Sequence, residues 1–140
     1  RSYSSLGPGE WGITFENIAL LMKGDYGQRK NDKLPMYHGY SFFQIDIASY
    51  PEFIKSGEWK DPLISANKAI SVLESKRKYL QKKFPVLGGE SLDIAITAAY
   101  NTGDGNVSKS ILAMKDVDST TTGHDYAKAV FGYRSIYRQV

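Results

Sequence analysis

Leu92, Ile94, Ala95, Ile96, Ala98 and Ala99 form an apolar helical run that from Ile94 to Ala99 occupies nearly the whole circumference of a helix. A helix apolar around its circumference belongs inside a protein, so the pattern predicts a buried central helix from near Ser91 to Tyr100. The run stops at Tyr100-Asn101, turns through Gly103 and Gly105, and restarts as a second helix at Asn106-Val107. Glycine permits backbone conformations that a side chain penalises, and Asn101 and Asn106 are residue types that end one helix and cap the next.

Elsewhere the apolar positions thin to a single face. Trp11, Phe15, Ile18, Ala19 and Met22 recur at three- and four-residue steps and predict a helix over 9–22. A short helix is expected over 50–55. Asp61-Pro62 pairs a capping residue with a first-turn proline, which predicts a helix running to about Lys83 with Leu63, Ala66, Ile70, Leu73 and Leu80 as its stripe. Its last turns carry Lys76, Arg77, Lys78, Lys82 and Lys83, the sign its dipole prefers, and we read these charges as structural and solubilising. Val107, Ile111 and Leu112 should face inward from a helix over 106–115. Tyr126, Val130, Tyr133 and Tyr137 mark a last helix from His124 to about Arg138.

Two segments lack helical period. Residues 23–38 are rich in Gly, Asn, Asp and Lys and read as a long loop, which in a compact domain is commonly functional. Residues 40–47 are aromatic and β-branched, which predicts a short extended segment lining a cleft. In an extended strand Gln44 and Asp46 would point to the same side. The fold expected is mainly α: a single domain over 1–140, about six helices around the buried central one.

Composition narrows the chemistry. The 140 residues include no cysteine and only two histidines, His38 and His124, so disulfides and thiolate metal sites are excluded and a zinc site would be poorly supplied. No metal and no cofactor are expected. The longest apolar runs fall far short of the roughly 20 residues that cross a bilayer, so no membrane span is expected. A net charge of +3 suits an anionic partner or merely a solvated basic surface, and nucleic-acid binding rests on nothing else. No charged-then-apolar leader opens the sequence, so the N-terminus says nothing about localisation.

One residue stands out for acid chemistry. Glu16 sits among Trp11, Ile13, Phe15 and Ile18, either on the solvent face of its helix or in a pocket where burial would keep it protonated as a proton donor. Glu10 is the alternative, nearer the helix start. The residues from Ala98 to Val107, Ala-Ala-Tyr-Asn-Thr-Gly-Asp-Gly-Asn-Val, resemble the Ala-Tyr-Asn-x-Gly-x-Gly-Asn-Val signature of goose-type lysozymes and the related lytic transglycosylases. Gly39-Tyr40-Ser41-Phe42-Phe43-Gln44-Ile45-Asp46 is similar to the Gly-x-Gly-apolar-Met-Gln-Val-Asp segment of that family, with Ser41 in place of a glycine. His124-Asp125-Tyr126 resembles its His-Asp-Asp-Tyr stretch, and the three matches span most of the chain in the family's order.

That resemblance implies an α+β lysozyme-like domain whose acid is Glu16, although Phe15 and Asn17 flank it where the family carries Arg and Ser. It implies Asp46 and Asp25 as the loop carboxylates, with Asp32 an alternative to Asp25, and Gln44, Phe43, Tyr100, Asn101 and Tyr126 as substrate-binding residues. His124 reads as a helix-start residue. The activity implied is an inverting hydrolysis of the β-1,4 bond between N-acetylmuramic acid and N-acetylglucosamine by a monomer acting on peptidoglycan glycan strands, secreted or in the cell envelope. The alternatives are a lytic transglycosylase that forms 1,6-anhydromuramic products, and a catalytically silent wall-binding module.

Overall fold

A computed structural model of the chain describes residues 24–26 and 37–138, of which 24–26 and 135–138 are described by backbone alone. The expected helix over 9–22, with Glu10 and Glu16, lies outside the described residues, as does Asp32. The described chain is mainly helical with a small antiparallel sheet, the class expected. By proximity of its Cα atoms it groups into two compact units, residues 1–69 and 70–140.

The first unit holds the sheet. Strands β1 (Gly24–Tyr26), β2 (Tyr37–Tyr40) and β3 (Ile45–Asp46) pair in the order β1-β2-β3, with Gly24 opposite Gly39, Tyr26 opposite Tyr37, Gly39 opposite Asp46 and Tyr40 opposite Ile45. The expected loop over 23–38 therefore begins and ends in strand. A three-residue strand is too short to show alternation, and its pairing partner lies a dozen residues away, so periodicity had nothing to register. The extended segment expected over 40–47 is a hairpin instead: residues 41–44 form a tight turn closed by the Gln44 N–H donating to the Ser41 carbonyl at 3.1 Å. Gln44 takes a left-handed φ of +50°, so the alternation that put it on the same side as Asp46 does not run through it.

Helix α1 (Pro51–Ser56) ends at Gly57 in the left-handed region, and a 3₁₀ turn (Glu58–Lys60) follows. It places Trp59, 5% exposed, edge-on to Tyr40 with ring centroids 5.0 Å apart. Ile45, Ile47 and Ile54 are the other buried apolar residues of this region.

Helix α2 (Pro62–Lys83) has the predicted ends, and Asp61 caps it by accepting from the N–H groups of Leu63 and Ile64 at 2.9 and 3.1 Å. The predicted stripe is buried only in part: Leu80 lies in the core and Leu73 packs against it, but the rest of the inward face differs. Leu63 is 71% exposed and Ile70 58%, whereas Ser65, Ala69, Val72 and Leu80 are buried. The smaller residues face inward where neighbours come close, and Ser65 is satisfied there because its hydroxyl donates to the Trp59 carbonyl at 2.7 Å.

The second unit is built on helix α3 (Gly89–Thr102), whose Leu92, Ala95, Ile96, Ala98 and Ala99 are buried as predicted for a central helix. It starts two residues before Ser91, through Gly89 at φ +55°, a conformation that glycine adopts without strain. Around it pack helix α4 (Asp104–Leu112) and helix α5 (Tyr126–Arg138), and Leu80, Val107 and Ala127 complete the core. Two ion pairs fasten α2 to these helices: Lys76 Nζ to Asp104 Oδ1 at 3.0 Å and Arg77 to Asp93 Oδ1 at 3.1 Å. Helix α4 opens at Asp104 and closes at Leu112, earlier at both ends than expected. Leu112 points outward at 67% exposure, while Ser108 and Ser110 take inward places beside Val107. In α5 Ala127 is buried in the core and Tyr126 is half-buried, whereas Val130 and Tyr133, expected on the same face, are exposed at 38% and 65%; the Tyr137 side chain lies outside the described residues. No helix among the described residues is long and apolar enough to cross a membrane.

Candidate functional site

The predicted site residues fall into two groups, one in each unit. Asp25 lies in the middle of β1, and the antiparallel register sets it opposite His38, one row along from the Gly24, Gly39 and Asp46 row. Phe43, Gln44 and Asp46 share the β2–β3 hairpin. The Gln44 side chain folds back over β2, where its Nε2 donates to the Ser41 carbonyl at 2.9 Å and its amide occupies the space that a Cβ on Gly39 would need. Gly39 is thus required by the Gln44 side chain five residues on. The Asp46 carboxylate, half-buried at the edge of the sheet, accepts from the Ala48 N–H at 3.3 Å and from the Ser49 hydroxyl at 2.8 Å. These contacts fix its orientation and use two of its roughly four lone-pair positions.

The second group surrounds the glycine turn after α3. Tyr100, half-buried, and Asn101, exposed, occupy the last turn of the helix, and Gly103 at φ +95° lets the chain reverse into α4. Asn101 does not cap its own helix. Its Oδ1 accepts from the Thr122 N–H at 2.9 Å, and its Nδ2 donates to the Thr122 hydroxyl at 3.3 Å, holding a loop twenty-one residues away. Asn106 reaches backward, with Nδ2 donating to the Thr102 carbonyl at 3.0 Å, so it satisfies the end of α3 and does not cap α4. The Thr102 hydroxyl in turn donates to the Thr120 carbonyl at 3.0 Å.

Residues 116–122, expected as a polar loop, form 3₁₀ turns at Val117–Thr120 and Thr122–His124 that order the start of α5. Asp118, 1% exposed, accepts through Oδ1 from the Ala127 N–H at 2.8 Å and from the Thr121 hydroxyl at 3.0 Å, and through Oδ2 from the Lys128 N–H at 3.1 Å. The Thr121 hydroxyl accepts from the Tyr126 N–H at 3.4 Å. The first N–H groups of α5 are therefore capped by residues five to ten positions upstream, and Tyr126 is held at the head of the helix. Asn101 and Tyr126 meet through this loop, in the sequence Asn101, Thr122, Thr121, Tyr126. His124, placed by the sequence at the start of the last helix, lies just before it with Nδ1 at 2.8 Å from the Ser119 carbonyl.

Sequence reasoning missed Asp118, Thr121 and Thr122. A polar loop carries no apolar period, and the partners of these residues are set by tertiary folding; the one available signal was an Asp-Ser-Thr-Thr-Thr cluster ahead of an amphipathic run. Among the described residues no three His, Asp or Glu side chains gather in a way that would hold a metal ion.

Burial pushes the hydroxyls of Tyr126 and Tyr40 above the usual tyrosine range, while the Tyr79 hydroxyl, hydrogen-bonded by Ser108 and Lys83, is held below it. For the two buried tyrosines the sign follows directly. Below about pH 10 folded and unfolded chains are both protonated there and stability is unaffected; above it the unfolded chain ionises first, and stability is lost as pH rises through the folded values. Chemical denaturation midpoints should hold level to about pH 9 and fall beyond about pH 10, and Tyr126→Phe should soften the fall. A midpoint that rises over that range would contradict the burial of both rings.

The chain is 31% identical over 102 residues to Lysozyme G of Dromaius novaehollandiae, a match covering 73% of this chain and 46% of that protein. The chain thus spans less than half the length of the curated relative it matches. No protein-family model matches it, and no solved structure matches it significantly.

Proposed function

We propose that this chain is a peptidoglycan hydrolase of the goose-type lysozyme kind, acting as one lysozyme-like domain over 1–140 on the β-1,4 bond between N-acetylmuramic acid and N-acetylglucosamine. The observation that carries this reading is the 102-residue similarity to Lysozyme G. In this reading Glu16 protonates the leaving oxygen, and Asp46 with Asp25 positions and activates the water that attacks the sugar from the opposite face. Inverting enzymes keep the acid and the water-activating carboxylate about 6.5–9.5 Å apart to admit that water.

The described geometry suits the roles given to Asp46 and its neighbours. A carboxylate held by Ala48 and Ser49 is fixed before substrate arrives, and its remaining lone pairs are available to a water. Gln44 and Phe43 lie on the braced turn beside it. Asn101 keeps one amide hydrogen beyond its Thr122 contact, and Tyr100 and Tyr126 supply hydroxyls and ring faces, the mixture that sugar recognition needs. The partner is the glycan strand, the protein works as a monomer, secreted or in the cell envelope, and no cofactor takes part.

Mass analysis of soluble fragments released from purified peptidoglycan tests the reaction. Hydrolysis adds water across the bond and yields muramic acid with a free reducing end. Fragments lighter by one water would mean that the sugar's own hydroxyl attacked, as in a lytic transglycosylase, with Glu16 acting as acid and then base and the aspartates not delivering water.

A further inference from the structure

The β2–β3 turn carries an aromatic ring that the proposed mechanism leaves unused. Phe42 is 67% exposed at the tip of the hairpin, beside Phe43 at 36%, and two residues before Gln44. The turn that presents it is not built in the usual inexpensive way. Ser41 and Gln44 take left-handed φ values of +69° and +50°, conformations that tight hairpins ordinarily give to Gly, Asn or Asp. Three hydrogen bonds converge on Ser41 and hold the turn in this form: its hydroxyl accepts from the Phe43 N–H at 3.1 Å, and its carbonyl accepts from the Gln44 N–H at 3.1 Å and from Gln44 Nε2 at 2.9 Å. Ser41 itself is 1% exposed.

Strained backbone of this kind persists where the surroundings over-determine it, and it gathers at ligand clamps. A benzyl group left in water on a rigid mount gains free energy only when something apolar and flat covers it, and a mount that is already fixed loses little entropy when that happens. The apolar face of a pyranose ring has those properties.

We infer that Phe42 is a stacking platform for a sugar ring of the glycan strand, a substrate-affinity residue distinct from Phe43 and Gln44. The inference rests on the glycan-cleaving function proposed above. A stacked ring touches the face of the sugar and not the reacting atoms, so it holds substrate and transition state equally; its removal weakens binding and leaves the chemical step unchanged.

The test is sedimentation of the full chain with insoluble bacterial peptidoglycan, alongside release of soluble fragments, for the wild type, Phe42→Ala and Phe42→Trp. Phe42→Ala should weaken wall binding about fivefold and raise KM by a similar factor with kcat unchanged, and Phe42→Trp should restore both. Equal binding by Phe42→Ala and the wild type would overturn the proposal, as would a tryptophan variant no better than alanine. Wild-type chain that fails to sediment with the wall would overturn it too, as would self-association that Phe42→Ala abolishes while wall binding persists. If binding depends on Phe42 but the wild type releases no fragments, the platform stands and the hydrolytic function falls.

Discussion

Glu16→Gln should abolish clearing of a cell-wall suspension, lowering the rate between about a hundredfold and ten-thousandfold, the usual contribution of a positioned proton donor. The substitution is nearly isosteric and removes only the titrating proton, so wall binding and thermal stability should stay close to wild type. Glu10→Gln is the companion measurement. Glu10 lies near the start of the same predicted helix, and its amide variant should keep its activity if Glu16 is the acid. Activity within about twofold of wild type in Glu16→Gln, with loss in Glu10→Gln, would move the acid to the earlier carboxylate without disturbing the rest of the scheme.

Asp118→Ala should strongly destabilise the second unit. It takes away a buried acceptor from the N–H groups of Ala127 and Lys128 and from the Thr121 hydroxyl, leaving the head of α5 with unsatisfied donors. Loss of a helix cap together with stranded buried donors costs about 3 kcal/mol, which lowers the melting temperature by roughly 10 °C in a chain of this size. Asp118→Asn, which keeps one carbonyl acceptor, should lose about half as much. If Asp118→Ala melts within about 2 °C of wild type, α5 is capped by water and not by this carboxylate. Tyr126 begins that helix, so activity in Asp118→Ala should also fall below what the loss of folded protein explains.

How much of this was legible depends on whether the deciding chemistry is local. The start of α2 was readable because Asp61 and Pro62 act within one turn, and the central helix because its apolar positions from Ile94 to Ala99 cover nearly the whole circumference. The turn at Gly103 was equally plain, since its left-handed backbone belongs to glycine whatever packs around it.

Faces were read less well. Leu63, Ile70 and Leu112 satisfied the apolar period and are exposed, while Ser65, Ser108 and Ser110 broke it and are inside. Close helix contacts select small side chains, and a serine that can return its hydroxyl to a nearby backbone carbonyl loses little by burial. The strand at Gly24–Tyr26 and the Asp118 cap were invisible for a different reason: each exists only through a partner that folding brings close.

The site divides along the same line. Asp46, Gln44 and the Tyr100-Asn101 corner are proposed as site residues through the resemblance of their motifs, and the structure adds what holds Asp46, Gln44 and Asn101 in place. It also gives Asn101 a structural duty through Thr122 that no motif announced. Glu16, Glu10 and Asp32 lie outside the described residues, so their roles rest on sequence.

The most direct test of the central claim is a count of the glycosidic ends released when the intact 140-residue chain is incubated with purified peptidoglycan. We predict new reducing N-acetylmuramic acid ends that accumulate with time and stop accumulating in Glu16→Gln. Wall that binds the chain yet shows no cleaved glycosidic bond would contradict the account and leave a silent binding module in its place.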